Sequence, residues 1–292
     1  MAGRHPQPRY PAVLGRLSPD RVPADSSQHY RGGAARWYSA VYAWKTDDIA
    51  FYQAEAERWA GPGGAALELA CGNGRVTLPL ARAGHRVTAL DSSEAMLEDL
   101  RRRLQSEPEV VRDRVEPLRQ DMRRFQLDRL FRFIYLPFNT MLLLAQAHER
   151  QAMLERVREH LAPSGAFAFE IFTPDPTGLA NEEDWTIDLE VEADDPGGEG
   201  RVHVLRERRR TVDLGRQLIH LEFRNRVSRA ETTLARWEDE LDLAYIFPRE
   251  LELILERQGF RIRDRFGAAD GSAYAPTPEN VQPQFVVAQL IP

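Results

Sequence analysis

From Ala65 onward the chain repeats one pattern: a short apolar run, a loop, then a longer segment whose apolar positions recur with helical period. AALELA (65–70) predicts a strand, RVTLPLARAG a helix closed by Gly84, and HRVTALD (85–91) a second strand. SSEAMLEDLRRRLQ reads as a helix with Ser92 or Ser93 as its N-cap and acids in its first turn. RVEPLRQD (114–121), FRFIYLPF (131–138) and GAFAFEIF (165–172) predict three more strands, with AHERQAMLERVREHL as a helix before the last. Strands alternating with helices predict a parallel, doubly wound α/β sheet. Pro79 lacks the amide that would bond the Arg75 carbonyl, so the first of these helices is expected to be bent or irregular in its first turn.

Between Asp175 and Tyr245 the period changes to two. WTIDLEVEA, RVHVLRERRRTVDL, RQLIHLEFRNRVS and TTLARWEDELDLAY alternate apolar with charged residues, and DDPGGEG (194–200) and Asp213-Leu214-Gly215 have hairpin-turn composition. Residues 175–245 are therefore expected to form an antiparallel β insertion, a lid or a dimer surface, which leaves room for a homodimer. FPRELELILERQGF (247–260) returns to helical period with Gly259 as C-cap. FRIRDRF and PQFVVAQLI follow too closely for a helical crossover and predict an antiparallel hairpin, the sixth and seventh strands of the main sheet. One domain would then comprise 29–174 and 246–292. Residues 1–28, with Pro6, Pro8, Pro11, Pro19 and Pro23, read as a flexible tail. Trp37, Tyr38, Tyr42, Trp44, Phe51, Tyr52 and Trp59 crowd the segment before the first strand, as helix packing or as an aromatic cap over a ligand.

Composition narrows the classes. The 292 residues suffice for one good core, and a net charge of -6 argues against a general nucleic-acid binder. Cys71 is the only cysteine, which excludes an intrachain disulfide and a cysteine metal cluster; no His-Glu-x-x-His motif or carboxylate set points to a metal. No run approaches the roughly 18 apolar residues of a membrane span, and the N-terminus lacks a signal-like apolar stretch, so the expected location is the cytoplasm.

The loop after the first strand, Ala70-Cys71-Gly72-Asn73-Gly74, falls where doubly wound sheets bind ligands. Gly72 and Gly74 permit positive φ and close backbone approach. A dinucleotide would want a third glycine where Thr77 stands, and the Glu68 carboxylate just before the loop would repel a pyrophosphate and suit a cation. The spacing Glu68-x-Ala70-x-Gly72-x-Gly74, with VTALDSSEAML and LRQDM following, resembles motif I and its sequels in class I S-adenosylmethionine (SAM)-dependent methyltransferases. The ending and the YSAVYAWKTDDIAFY stretch are similar to a bacterial small-molecule branch of that family.

The resemblance implies a Rossmann-like seven-stranded sheet, SAM as cofactor, and methyl transfer to oxygen or nitrogen of a small-molecule acceptor. It implies Asp91 as the ribose acid, Asp121 and Met122 at the adenine, and a cofactor surface that also draws on Ala70, Asn73, Ser92, Met96 and Leu136. Two departures stand out. Ala70 replaces the usual first glycine, tolerable if its φ is negative, and Arg132 stands where an aspartate is common. For the acceptor the candidates are Asn139, just past the fourth strand, His148 at the start of the next helix, and Tyr42 near the entrance; His203 and His220 read as ordinary strand residues. Alternation splits Arg206-Glu207-Arg208-Arg209-Arg210 between two faces, read as solvated. An NAD(P)-dependent oxidoreductase and a non-catalytic SAM-binding protein are the alternatives.

Overall fold

A computed structural model describes residues 32–180, 183–277 and 281–292; the proline-rich stretch 1–28 lies outside the described residues. Helices α1 (Gly32–Val41) and α2 (Ile49–Ala60) precede the sheet. Strands β1 (Ala65–Leu69), β2 (Arg86–Asp91), β3 (Val115–Arg119), β4 (Phe131–Leu136) and β5 (Leu161–Ile171) follow. Between them run α3 (Thr77–Arg82), α4 (Glu94–Gln105), the short α5 (Glu109–Arg112) and α6 (Ala147–His160). A single turn, α7 (Pro176–Leu179), leads into β6 (Glu183–Asp194), β7 (Arg201–Asp213), β8 (Leu218–Arg229) and β9 (Thr232–Ala244). Helix α8 (Pro248–Arg257) and strands β10 (Phe260–Phe266) and β11 (Gln284–Leu290) close the chain.

The main sheet has the order β10-β11-β5-β4-β1-β2-β3. Strands β1 to β5 are parallel, and β11 runs antiparallel to both β5 and β10. Strand order reverses between β1 and β4, so the loops leaving these two strands open onto one crevice. Helices cover both faces, which is why β1 is apolar on both sides. Leu67 and Leu69 join a core with Ile134, Leu136, Phe167 and Phe169, while Ala66 faces the opposite core with Tyr52, Phe133 and Tyr135.

Local chemistry sets the element ends near the crevice. Ser93 caps α4, its hydroxyl accepting from the Met96 amide at 3.4 Å, with Glu94 in the first turn and Arg102 and Arg103 in the last. Pro79 lies in the first turn of α3, between the Leu78 N–H to Gly74 carbonyl bond and the Leu80 N–H to Val76 carbonyl bond. The chain from Gly72 to Val76 makes turns and becomes α-helix only at Thr77, the irregular start expected of a proline there. Pro117 is accommodated because β3 is an edge strand. Strand β5 begins at Leu161, earlier than GAFAFEIF implies, because Leu161 pairs with Phe131 before the register shifts at Arg132.

The insertion is a separate antiparallel sheet of order β6-β7-β8-β9. One end of its inner face packs Val202, Val204 and Val227 against Trp37, Ala40 and Val41 of α1. That contact fixes where the rest of the face lies: over the crevice. No helix among the described residues is long and apolar enough to cross a membrane.

Candidate active site

Between the insertion sheet and the ends of β1, β2 and β4 lies a cavity of about 300 Å³. Its floor carries Glu68, Ala70, Gly72, Asp91, Ser92, Met96, Asp121 and Met122; Tyr38, Tyr42, Trp44, Phe138 and Asn139 form the near wall, and Arg206, Arg208, Leu221 and Phe223 the far one. Most of the residues picked out in the sequence thus meet in one place.

Asp91 is the hinge of the floor. Its Oδ2 accepts from the Gly72 amide at 2.7 Å and its Oδ1 from the Ser93 amide at 2.8 Å, so one carboxylate ties the glycine loop to the start of α4. Burial raises its pKa, and the loop amides of Ser93, Gly72 and Ser92 limit the rise. Gly72 has φ 55° and its missing side chain would point into open space, leaving the backbone accessible to a ligand. Asp121 both caps its own turn, accepting from the Arg123 amide at 2.9 Å, and pairs with the Arg123 guanidinium. Burial works against its charged form, yet the Arg123 hydrogen bonds hold its carboxyl below the usual range. Met96 is buried beneath this floor and also touches the cavity.

Four expectations are corrected here, and one gains a second reason. Ala70 has φ 52°, not a negative value, so the methyl is carried in the left-handed region that favours glycine. Asn73 faces away from the cavity: its side-chain amide donates to Ser39 Oγ at 2.7 Å and Asp99 Oδ2 at 3.0 Å, locking the loop to α1 and α4. Gly74 has the positive φ expected of it, 82°, and packing demands a glycine there as well, because a Cβ would come within 2.4 Å of the Leu100 side chain. Leu136 is core, and its carbonyl accepts from Tyr52 Oη at 3.4 Å. His148 is exposed on the first turn of α6 and does not line the cavity; the turn from Phe138 to Leu143 directs the chain away before α6 begins.

Glu68 lines the cavity but is not the free carboxylate that its position suggests. Its Oε2 accepts from Thr77 Oγ1 and, at 2.9 Å, from Tyr135 Oη. Thr77, read above only as a missing glycine, is therefore the partner that keeps this acid. Burial drives the Glu68 pKa from its ordinary 4.5 up to about 7, and the Thr77 and Tyr135 hydrogen bonds limit the rise. A carboxyl with a raised folded-state pKa stabilises the fold below its unfolded pKa and loses that stabilisation as pH rises through the folded value. Glu68→Gln should therefore flatten the stability–pH curve between 4.5 and 7, where the wild type loses about 3 kcal/mol through this group. Urea midpoints of the two proteins across that range measure it; parallel curves would remove the buried titration.

The sequence reading missed the far wall and the framework behind the near one. Arg206 and Arg208 are not on a solvated face. Arg206 pairs with Asp188 at 2.6 Å and stacks over Tyr42 and Phe223 at 5.3 and 4.9 Å. Arg75 grips Asp48 with both ends of its fork, at 2.5 and 2.7 Å, and the Lys45 carbonyl at 2.8 Å. The segment bearing Tyr42 and Trp44 is thereby tied to the glycine loop. The one lysine of the chain, Lys45, is buried against Glu170 at 2.9 Å. An arginine immediately after the glycine motif was the available signal for the first of these; nothing local announces the others.

His203 pairs with Glu190 on the insertion, and His220 is buried against Asp242 at 2.8 Å, both outside the cavity. Asn139 Oδ1 accepts from the Phe172 amide at 2.7 Å, so the group that Asn139 has left to offer is its Nδ2 donor. Burial and neighbouring Tyr42 push the Tyr38 phenol well above its ordinary pKa, which keeps it protonated.

A glycine loop at the switch point, an acid closing β2 and a capped crevice define a Rossmann-like fold of the class I methyltransferase type. Residues 66–165 match the family described as "Methyltransferase domain". The cypemycin N-terminal methyltransferase of a Streptomyces species is 33% identical over 108 residues; the match spans 37% of this chain and 42% of that relative, less than half its length. The glycopeptide N-methyltransferase MtfA complexed with SAM is 26% identical, with 85% of this chain and 96% of that one covered at a TM-score of 0.53. The CcbJ methyltransferase from Streptomyces caelestis, at 22% identity, covers 85% of this chain and 91% of its own with a TM-score of 0.68, a likeness of fold.

Proposed function

We propose that this protein transfers the methyl group of SAM to an amine of a small-molecule acceptor. The observation that carries the cofactor reading is the Asp91–Gly72 floor: a buried carboxylate on the cavity beside a glycine whose side-chain space is open. SAM supplies an electrophilic methyl on a sulfonium. Asp91 would accept from the ribose hydroxyls, Asp121 and Met122 would meet the adenine, and the Gly72 backbone would pass close to the amino-acid tail. These groups fit a ligand without phosphates.

Nitrogen is preferred over oxygen on chemical grounds. An alcohol or phenol must lose its proton to become a good nucleophile, and the groups at the near wall are poor bases: Tyr38 is held protonated and Asn139 offers a donor. A neutral amine needs no base before transfer and can release its proton to solvent afterwards. Holding amine, methyl and sulfur in line then supplies the acceleration, worth about 7–11 kcal/mol when reactants are well positioned. The N-methylating activities named for the cypemycin and glycopeptide enzymes favour the same choice. Tyr42, Trp44 and Phe138 would flank the acceptor, with the insertion sheet as its lid. Incubation with methyl-labelled SAM and matched panels of amines and phenols tests this: label is expected in amines, and label confined to phenols would reverse it.

A further inference from the structure

We propose that the insertion sheet holds an anionic group of the acceptor, a carboxylate or a phosphate, with Arg208 and Arg206 as its ligands. The inference rests on reading the cavity as a methyl-transfer site and names what its far wall recognises.

Strand alternation puts Arg206, Arg208 and Arg210 on one face of β7, opposite Asn225, Phe223 and Leu221 of β8. Arg206, Arg208, Leu221 and Phe223 all line the cavity. The carboxylates on this face are shared out thinly. Asp188 bridges Arg206 at 2.6 Å and Arg208 at 2.9 Å; Glu183 bridges Arg208 at 2.9 Å and Arg210 at 3.0 Å. Three guanidiniums thus divide two carboxylates. The next acid on the face, Asp239, accepts from Trp237 Nε1 and Asn225 Nδ2 instead of from a guanidinium. Arg208 Nε is buried and has no hydrogen-bond partner.

A buried guanidinium N–H without an acceptor is costly, and planar guanidinium forks match carboxylate and phosphate oxygens. Two guanidiniums held side by side by Asp188 are set in place before any ligand arrives, so an incoming anion meets donors already fixed in position. Tyr42, Trp44 and Phe138 line the same cavity, with Tyr42 stacked against Arg206, which suits an acceptor whose anion adjoins a ring or aliphatic body.

Calorimetric titration of the protein saturated with S-adenosylhomocysteine (SAH) tests the proposal with three probes of similar size: para-aminomethylbenzoate, para-aminomethylphenylphosphonate and para-methylbenzylamine, which carries the same amine without an acid group. At least one acid-bearing probe is expected to bind about tenfold tighter than para-methylbenzylamine, and which one does so separates carboxylate from phosphate. Arg208→Gln should abolish the preference with SAH affinity unchanged, and Arg208→Lys should restore part of it. Failure of both acid-bearing probes to outbind para-methylbenzylamine overturns the proposal. So does a preference that persists in both Arg208→Gln and Arg206→Gln. Loss of SAH binding by the wild type would instead remove the methyl-transfer reading beneath it.

Discussion

Replacement of Asp91 by alanine is expected to weaken SAH binding by at least about tenfold, the larger of the two effects on ligand binding foreseen here. Two losses add. The ligand loses a charged acceptor for its ribose hydroxyls, worth about 1.5–3 kcal/mol. The loop loses the carboxylate that its own Gly72 and Ser93 amides donate to at 2.7 and 2.8 Å, so the floor that should receive the ligand is no longer set. Asp91→Asn separates the parts: its amide oxygen can still accept from one loop amide but carries no charge. Calorimetry should rank the affinities wild type, then Asn, then Ala. Wild-type affinity in Asp91→Ala would take this residue out of the ligand site.

The largest effect on stability is expected at Lys45. Lys45→Met keeps the bulk of the stem but strands the Glu170 carboxylate, which is 5% exposed and has one oxygen already unpartnered. Removing one member of a buried pair costs about 3–5 kcal/mol, which should lower the melting temperature by roughly 10 °C. Burial already raises the Glu170 pKa, and Lys45 is the chief group restraining it. With the ammonium gone the carboxyl rises further. By the sign of that shift the penalty should be smallest in acid, where Glu170 is protonated in both states, and grow as pH increases. The double variant Lys45→Met, Glu170→Gln should recover much of the loss. Equal melting of Lys45→Met and wild type at neutral pH would show that the pair contributes nothing.

What the sequence made legible was local. The strand–loop–helix run from Ala65 to Asp91, the Ser93 cap and the final hairpin each follow from period, turn residues and connection length. That Gly72, Asp91, Asp121 and Met122 meet on one crevice was legible for the same reason, since their places after strand ends fix where they lie. Features that depend on distant partners were not. Glu68 looked like a free acid because Tyr135, its donor, lies 67 residues away. Arg206 looked solvated because alternation says which residues share a face but not what covers that face; α1 and the crevice supply the cover. The positive φ of Ala70 was unreadable, since the residue type alone favours the opposite sign. His148 was misplaced because chain proximity to β4 does not fix the direction in which α6 starts.

The central claim is that this crevice holds a sulfonium nucleoside and not a dinucleotide. Titration of the wild-type protein with SAH and, separately, with NAD tests it most directly. One-site binding of SAH, with no heat from NAD, is the predicted result; binding of NAD without binding of SAH would contradict it.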